Sequence, residues 1–477
     1  MHSFPNFNGK FHIFRQKREV FLVSVRHRRT DAFLNKDFRE KLNFFSFSDI
    51  DSGRKDRIMK FTSTEATPAP HVPPGVLRLT GAAKEDIPMY RIQTMNKISP
   101  VGLNRFPSEL YEVGDAVQDP QGILVRSAKL LDLEFNPGLL AIARAGVGVN
   151  NIPLDRCAAA GIPVFSTPGA NANAVKELVI CAMLMGSRDI PGAIRWVREQ
   201  AASGVDVSTV VEKGKSAFIG PELYKKTLGI IGLGAIGSIV ANTAISLGMD
   251  VYGYDPFLSV DTALRLDRHV HVVKDINDLY KRSDYITMHI HYTEKTAHMI
   301  DASAIAAMKR GVRVINLARG EIVDDEAMLT ALDTGMVAAY ITDFPNNRLL
   351  TAPHVIAMPH LGASTPESEQ NCAAMAVDTL RDYLESGNIR SSVNLPEMTM
   401  DRSGVQRLCV LHKNVPGMLA NITSLFGRDG VNVENLSNKS RGDYAYTMVD
   451  LGSKVGDNVI EDVRRTANVI RVRSLEW

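Results

Sequence analysis

The 477-residue sequence contains four cysteines and two tryptophans. Cys157, Cys181, Cys372 and Cys409 form no CxxC pair and join no His cluster with ligand spacing. That argues against both a disulfide framework and a zinc site; the four read as reduced thiols of an intracellular protein. A strong charge of one sign is also lacking, since the formal net charge is +2. The distribution is uneven. Residues 1–61 hold 14 Lys/Arg and 7 Asp/Glu, and the remainder holds 41 and 46. A mildly acidic body gives no basic face for nucleic acid. The longest uncharged run, Thr227 to Met249, is long enough for a bilayer. It is broken by Gly229, Gly232, Gly234, Gly237 and Asn242 and sits in a strand–turn–helix pattern, so it is not read as a membrane span. Lys10, Arg15, Lys17 and Arg18 interrupt any apolar core of a signal peptide. The expectation is a cytoplasmic chain with no metal site.

What is present divides the chain into unlike parts. Eleven of the eighteen phenylalanines fall at or before Phe61, in a basic segment without a sustained helical or strand period. The Pro-rich run from Thr67 to Gly75 reads as an extended linker. Residues 1–88 are therefore expected to be a disordered extension. Two readings of it stay open: a basic targeting arm, or translated upstream sequence with Met89 as the working start. The seven acidic residues within residues 1–61 favour the second. From Met89 onward, short apolar runs such as Gly122–Arg126 and Ala141–Arg144 alternate with helical segments such as Ala172–Gly186 and Asn371–Glu385. Strands alternating with helices imply βαβ units and parallel sheets. The last 75 or so residues read strand, helix, strand, strand, helix, strand, the ferredoxin-like order.

The strongest βαβ unit begins at Thr227. Leu228 to Gly237 is an apolar strand running into GLGAIG. Gly232 permits the tight turn, Gly234 the approach of a pyrophosphate, and Gly237 close helix–strand packing. Ala235 and Ile236 open the helix, whose free N–H groups suit phosphates. The next strand, Asp250–Tyr254, ends in Asp255, at the spacing the dinucleotide fingerprint requires. That acid favours ribose hydroxyls and opposes a 2′-phosphate, which points to NAD rather than NADP.

Two further residues follow strands. Arg319 comes after Val312–Asn316, and His360 after Val355–Met358. Ligands of open α/β sheets bind beyond such carboxyl ends. The ordered set of Val125-Arg-Ser127, Ala143-Arg-Ala-Gly-Val-Gly-Val-Asn-Asn151, GLGAIG, Asn316-Leu-Ala-Arg-Gly320 and Pro359-His-Leu-Gly-Ala-Ser-Thr365 resembles the D-2-hydroxyacid dehydrogenases over about residues 89–390. The resemblance implies two Rossmann-like, doubly wound parallel-sheet domains, the substrate domain being discontinuous. It makes Arg319 the carboxylate binder and His360 the acid/base. It places Arg126, Ser127, Arg144, Gly146 and Val147 at the substrate, and Leu317, Asp343, Gly362 and Ala363 at the cofactor. The family pairs its histidine with a glutamate, but here no glutamate occurs between Glu326 and Glu367. Either another acid serves or His360 works unassisted.

In the tail, Leu411 to Gly417 and Gly430-Val-Asn432 resemble ACT regulatory domains. That resemblance implies L-serine as an effector, held by His412, Asn414 and Asn432 between subunits of a homo-oligomer. Joined to this core, it points to serine biosynthesis and a phosphorylated 2-hydroxy acid as substrate. The expected division is extension 1–88, substrate domain 89–184 and 359–390, NAD domain 185–358, linker 391–404 and ACT domain 405–477.

Overall fold

The computed structural model of the chain describes residues 89–477 and, before them, two antiparallel strands, β1 (Phe11–Gln16) and β2 (Glu19–Ser24). Apart from that pair, the expected disordered extension and both readings of it lie outside the described residues. Among the described residues no helix is long and apolar enough to cross a membrane.

The first sheet is built from β3 (Tyr90–Met95), β4 (Tyr111–Gly114), β5 (Gly122–Val125), β6 (Ala141–Arg144) and β7 (Val164–Phe165). All pairs are parallel and the order is β4-β3-β5-β6-β7. The order reverses between β3 and β5, so the crevice beyond their carboxyl ends is a ligand position. Asn96 leaves β3 there and Arg126 leaves β5. The Asn96 side chain accepts the Ser127 and Ala128 amides and so fixes the turn after β5.

The second sheet has seven parallel strands: β8 (Thr227–Ile231), β9 (Asp250–Tyr254), β10 (Val270–Val273), β11 (Tyr285–Met288), β12 (Val312–Asn316), β13 (Val337–Thr342) and β14 (Val355–Ala357). Their order is β10-β9-β8-β11-β12-β13-β14, with the reversal between β8 and β11. β11 is buried on both faces, as its unbroken apolar character requires. The chain crosses between the two sheets twice. The helix Ala172–Arg188 packs Val179, Ala182 and Met183 into the core of the second sheet, with Gly186 against Ile341. The helix Pro366–Ser386 returns to bury Ala373, Ala376, Val377 and Leu380 beside Ile92 and Leu124 of the first. It starts earlier than the apolar period suggests, because Thr365 accepts the Ser368 amide and Pro366 fits the first turn. Gly387, at φ 75°, ends it.

The C-terminal segment is an antiparallel sheet of β15 (Gln406–Lys413), β16 (Val433–Arg441), β17 (Tyr444–Leu451) and β18 (Val469–Glu476), ordered β16-β17-β15-β18. Two helices, Met418–Arg428 and Asp457–Arg465, cover one face through Leu408, Val410, Ile422, Phe426 and Val463. Pro416 precedes the first of these rather than opening it; Gly417, at φ 84°, supplies the entry turn. The other face packs Cys409, Leu411, Tyr446 and Met448 against Leu380, Tyr383 and Leu384 of the returning helix. A buried ion pair lies on that side: Arg407 Nε donates to Asp450 Oδ1 at 2.5 Å, and the guanidinium also donates to the Ser386, Met400 and Asp401 carbonyls. Arg473 donates to the Tyr383 and Leu384 carbonyls at 3.1 and 2.9 Å. The expected linker is pinned as well, since Val393 donates to Val164 and Ser166 to Ser391.

Candidate active site

The turn after β8 is shaped by what its glycines exclude. Gly232 has φ 89°, and a Cβ there would lie 2.6 Å from the His289 carbonyl. A Cβ on Gly237 would lie 1.9 Å from the Gly232 carbonyl, so this helix can pack so closely only with glycine. Gly234 faces open space. It is the N-cap of the helix Ala235–Ser246 and makes no side-chain cap, so the first-turn amides of Ala235, Ile236 and Gly237 are free for an anion. Asp255, just past β9, is held at this turn by the Leu233 and Phe257 amides, each at 2.9 Å. Each carboxylate oxygen keeps a lone pair for a ribose hydroxyl. The open cradle and the adjacent acid fit a dinucleotide.

Arg319 and His360 stand at the carboxyl end of the same sheet. Arg319 is held from β12: the fully buried Asn316 side chain donates to the Arg319 carbonyl at 2.8 Å and accepts the Ala318 amide. Leu317 is buried beneath this loop. His360 is exposed after β14, and its ring packs on Phe344 with centroids 4.7 Å apart. The Arg319 guanidinium lies 5.7 Å from the centroid of the same Phe344 ring. Asp343 is 1% exposed, and its Oδ2 accepts the Gly362 amide at 3.1 Å. Burial pushes its carboxyl above the usual carboxylate range, against the Gly362 amide and His360, which pull it down. Ala363 follows Gly362 in the His360 loop, and its carbonyl accepts the Thr365 amide.

Three guanidinium groups converge from the two sheets. A Cβ on Gly148 would meet Arg144 Nη1 at 3.2 Å and Arg319 Nη2 at 3.3 Å, so both cations border one glycine. Arg144 Nε donates to the Arg126 carbonyl at 2.9 Å. The Arg144 pKa is lowered first by burial, then by Arg319, with a further contribution from Arg126. Like charges gathered in this way favour a polyanionic ligand. Arg126 is also paired with Glu369, at 2.5 Å on a half-exposed surface. Ser127 is exposed beside it, Gly146 accepts the Thr167 amide, and Val147 is partly buried in the same loop.

Of a second set of residues here, sequence reasoning named only Asp343 for the site. Among the described residues, buried polar atoms without a partner include Asn151 Oδ1, Thr167 Oγ1, Asn171 Oδ1, His289 Nδ1 and Asp343 Oδ1. Each lies in the loop that leaves β6, β7, β11 or β13. Such orphans are rare in folded proteins and call for a missing partner. The available signal was position, since each follows the carboxyl end of an apolar strand.

The tail residues do not all come together. His412 was expected to hold the effector. It lies instead within β15, 2% exposed, with Nδ1 hydrogen-bonded to the Lys413 carbonyl at 2.8 Å and Nε2 to Thr447 Oγ1 at 2.9 Å. The side-chain alternation of β15 turns it, with Leu408 and Val410, toward the helices. Asn414 sits at the Tyr444 end of β17, donating to the Gly442 carbonyl. Asn432 sits at the other end, where its carbonyl accepts the Gly452 amide. Eight strand residues separate those ends, roughly 25 Å.

Residues 180–362 match the family model for the D-isomer specific 2-hydroxyacid dehydrogenase, NAD binding domain. The D-3-phosphoglycerate dehydrogenase of Escherichia coli (strain K12) is 33% identical over 350 residues, covering 71% of this chain and 82% of that protein. The chain belongs to the D-isomer specific 2-hydroxyacid dehydrogenase family. The D-3-phosphoglycerate dehydrogenase of Synechocystis is 36% identical over 326 residues, covering 66% of this chain and 56% of that one. The chain thus spans little more than half the length of the first curated relatives it matches. Among solved structures, the NAD+-bound 3-phosphoglycerate dehydrogenase of Entamoeba histolytica is 26% identical, with a TM-score of 0.51, covering 64% of this chain and 99% of its own. As a family member, the chain carries its NAD-binding segment on the second sheet.

Proposed function

We propose that the chain oxidises D-3-phosphoglycerate to 3-phosphohydroxypyruvate with NAD, the entry step of L-serine biosynthesis. The observation that carries this reading is the meeting of Arg126, Arg144 and Arg319, with Arg319 and His360 on the same Phe344 ring. A carboxylate and a phosphate on one small molecule need that many cations. Arg319 grips the carboxylate in two-pronged fashion and polarises the carbinol carbon's oxygen. Arg144 and Arg126 take the phosphate, with Ser127, Gly146 and Val147 lining the cleft. His360 takes the hydroxyl proton. NAD, when bound, supplies the hydride acceptor; the amides of Gly234 to Gly237 hold its pyrophosphate and Asp255 its ribose. Leu317, Asp343, Gly362 and Ala363 line the nicotinamide side.

The relatives' printed names, the exposed nine-residue edge strand β16 and the tail's motifs support the rest of the reading. The C-terminal sheet is an ACT domain, the chain is a cytoplasmic homo-oligomer, and L-serine is its effector. The domain limits follow the division given from sequence. Asn432 lies too far from Asn414 to share a ligand within one chain, so a serine site needs Asn432 from a second chain. The test is NADH formation from a panel of 2-hydroxy acids, with and without serine. Preference for a hydroxypyruvate, glyoxylate or lactate couple over phosphoglycerate would replace the substrate assignment. No turnover with any of them, alongside intact NAD binding, would favour a non-catalytic NAD sensor.

A further inference from the structure

Among the described residues, the one hydrogen bond His360 makes is through its backbone carbonyl, to Ser364 Oγ at 3.3 Å. Neither ring nitrogen is held by the protein. A proton-transfer residue left free at χ1 and χ2 loses the geometry on which its rate depends. The loop in which an acid was sought turns elsewhere: Asn346 donates to Asp325, and Arg348 pairs with Glu326. What the imidazole does touch is an aromatic ring.

We propose that Phe344 is the positioning residue of this site, its ring wedged between His360 and Arg319 so that one side chain sets the attitude of both. This rests on the reading of the site as a dehydrogenase centre. The ring planes of Phe344 and His360 meet at 47° with centroids 4.7 Å apart, and the Arg319 guanidinium carbon is 5.7 Å from the Phe344 centroid. The wedge is itself anchored. The Phe344 amide donates to Thr342 Oγ1 at 3.0 Å, on a fully buried threonine. Its Cβ lies 3.4 Å from where a Cβ on Gly320 would stand, so it fills the space beside Arg319 that the glycine leaves. A ring in this place attracts cations as well as packing against them. It therefore holds the imidazole by its face and steadies the guanidinium. The charged groups around the pair are Asp343 on the same turn, Arg319 across the ring, and Arg144 and Arg126 beyond it. These groups remain in place when only the ring is changed.

The experiment compares Phe344→Leu, which keeps apolar bulk without a ring, with Phe344→Tyr, which restores the ring. The full-length protein is labelled at histidine Cε1, and the His360 signal is assigned by its loss in His360→Gln. In Phe344→Leu the His360 Cε1–H signal should move and broaden, as the ring current is lost and the imidazole samples more than one rotamer. The kcat should fall about tenfold through lost orientation, with the KM for NAD unchanged. Phe344→Tyr should return the His360 signal to near its parent position and the kcat to within roughly twofold of the parent. An unshifted His360 signal in Phe344→Leu, or a tyrosine variant that recovers neither quantity, overturns the proposal. If the parent oxidises no 2-hydroxy acid, the dehydrogenase reading fails separately, and the histidine spectrum still decides whether the ring acts on His360.

Discussion

At the residue scale, the site sets two buried or half-buried carboxylates to opposite uses. Asp343 is nearly inaccessible and has one oxygen without a partner, so its charge costs folding energy and can be worth keeping only for a ligand. Its folded pKa is raised above the unfolded value. The penalty is therefore absent in acid, where both states are protonated, and grows as pH rises through the unfolded and then the folded pKa. Asp343→Asn keeps an acceptor for the Gly362 amide and removes the charge. It should melt higher than the parent at neutral pH and no higher in acid, while binding NAD more weakly; calorimetric melting at the two pH values checks this. Asp255 is instead satisfied by two amides, and in the proposed NAD site its charge would face the ribose. Asp255→Ala removes the repulsion of a 2′-phosphate, so the ratio of kcat/KM for NAD over NADP should fall, by about tenfold or more if the change exceeds 1.4 kcal/mol. A parent enzyme that already uses NADP as well as NAD would sink that argument.

At the element scale, legibility follows the range of the interactions that build each part. The parallel strands read directly from sequence because burial on both faces makes them apolar runs, as in β5 and β11. Arg319 and His360 are legible because each follows the carboxyl end of a strand inside a motif that resembles the family's. Asn316, Thr167 and His289 lie at the same strand ends but look like ordinary polar residues until their burial is seen. His412 misleads because a motif match carries no burial, and only the helices over β15 show that its ring is enclosed and already bonded to Lys413 and Thr447. Least legible is the underside of the C-terminal sheet, whose partners in the returning helix precede it by dozens of residues. Arg407 and Asp450 meet there at 0% side-chain exposure. Asp450→Ala leaves a buried cation without its partner and should cost about 3–5 kcal/mol. Replacing both, as in Arg407→Met with Asp450→Leu, should recover only part of this, because the Ser386, Met400 and Asp401 carbonyls also lose their donor. Urea midpoints of the three variants would show it, and a double variant as stable as the parent would mean that those carbonyls find other partners.

At the scale of the whole molecule, the returning helix Pro366–Ser386 joins the parts. It starts next to the His360 loop, pairs Glu369 with Arg126 in its first turn, and ends among Arg407, Arg473 and Tyr446 of the C-terminal sheet. Twenty-one residues of helix span about 30 Å. The C-terminal sheet is therefore seated on an element that touches the cation cluster, which gives an effector bound at that sheet a mechanical route to the site. The proposed effector site makes a sharper claim. Asn414 and Asn432 lie at opposite ends of β17, so each serine must draw Asn414 from one chain and Asn432 from another. In a two-fold dimer, Asn414→Ala or Asn432→Ala alone spoils both sites. A mixed dimer of the two variants collects both substitutions in one site and leaves the other intact. Co-refolding equal amounts should make half the dimers mixed and so restore about a quarter of the parent's serine sites. Calorimetry before and after co-refolding measures that fraction. Recovery would require sites shared between chains. Serine binding by the parent with no recovery in the mixture would place the whole site within one chain, which the separation along β17 opposes.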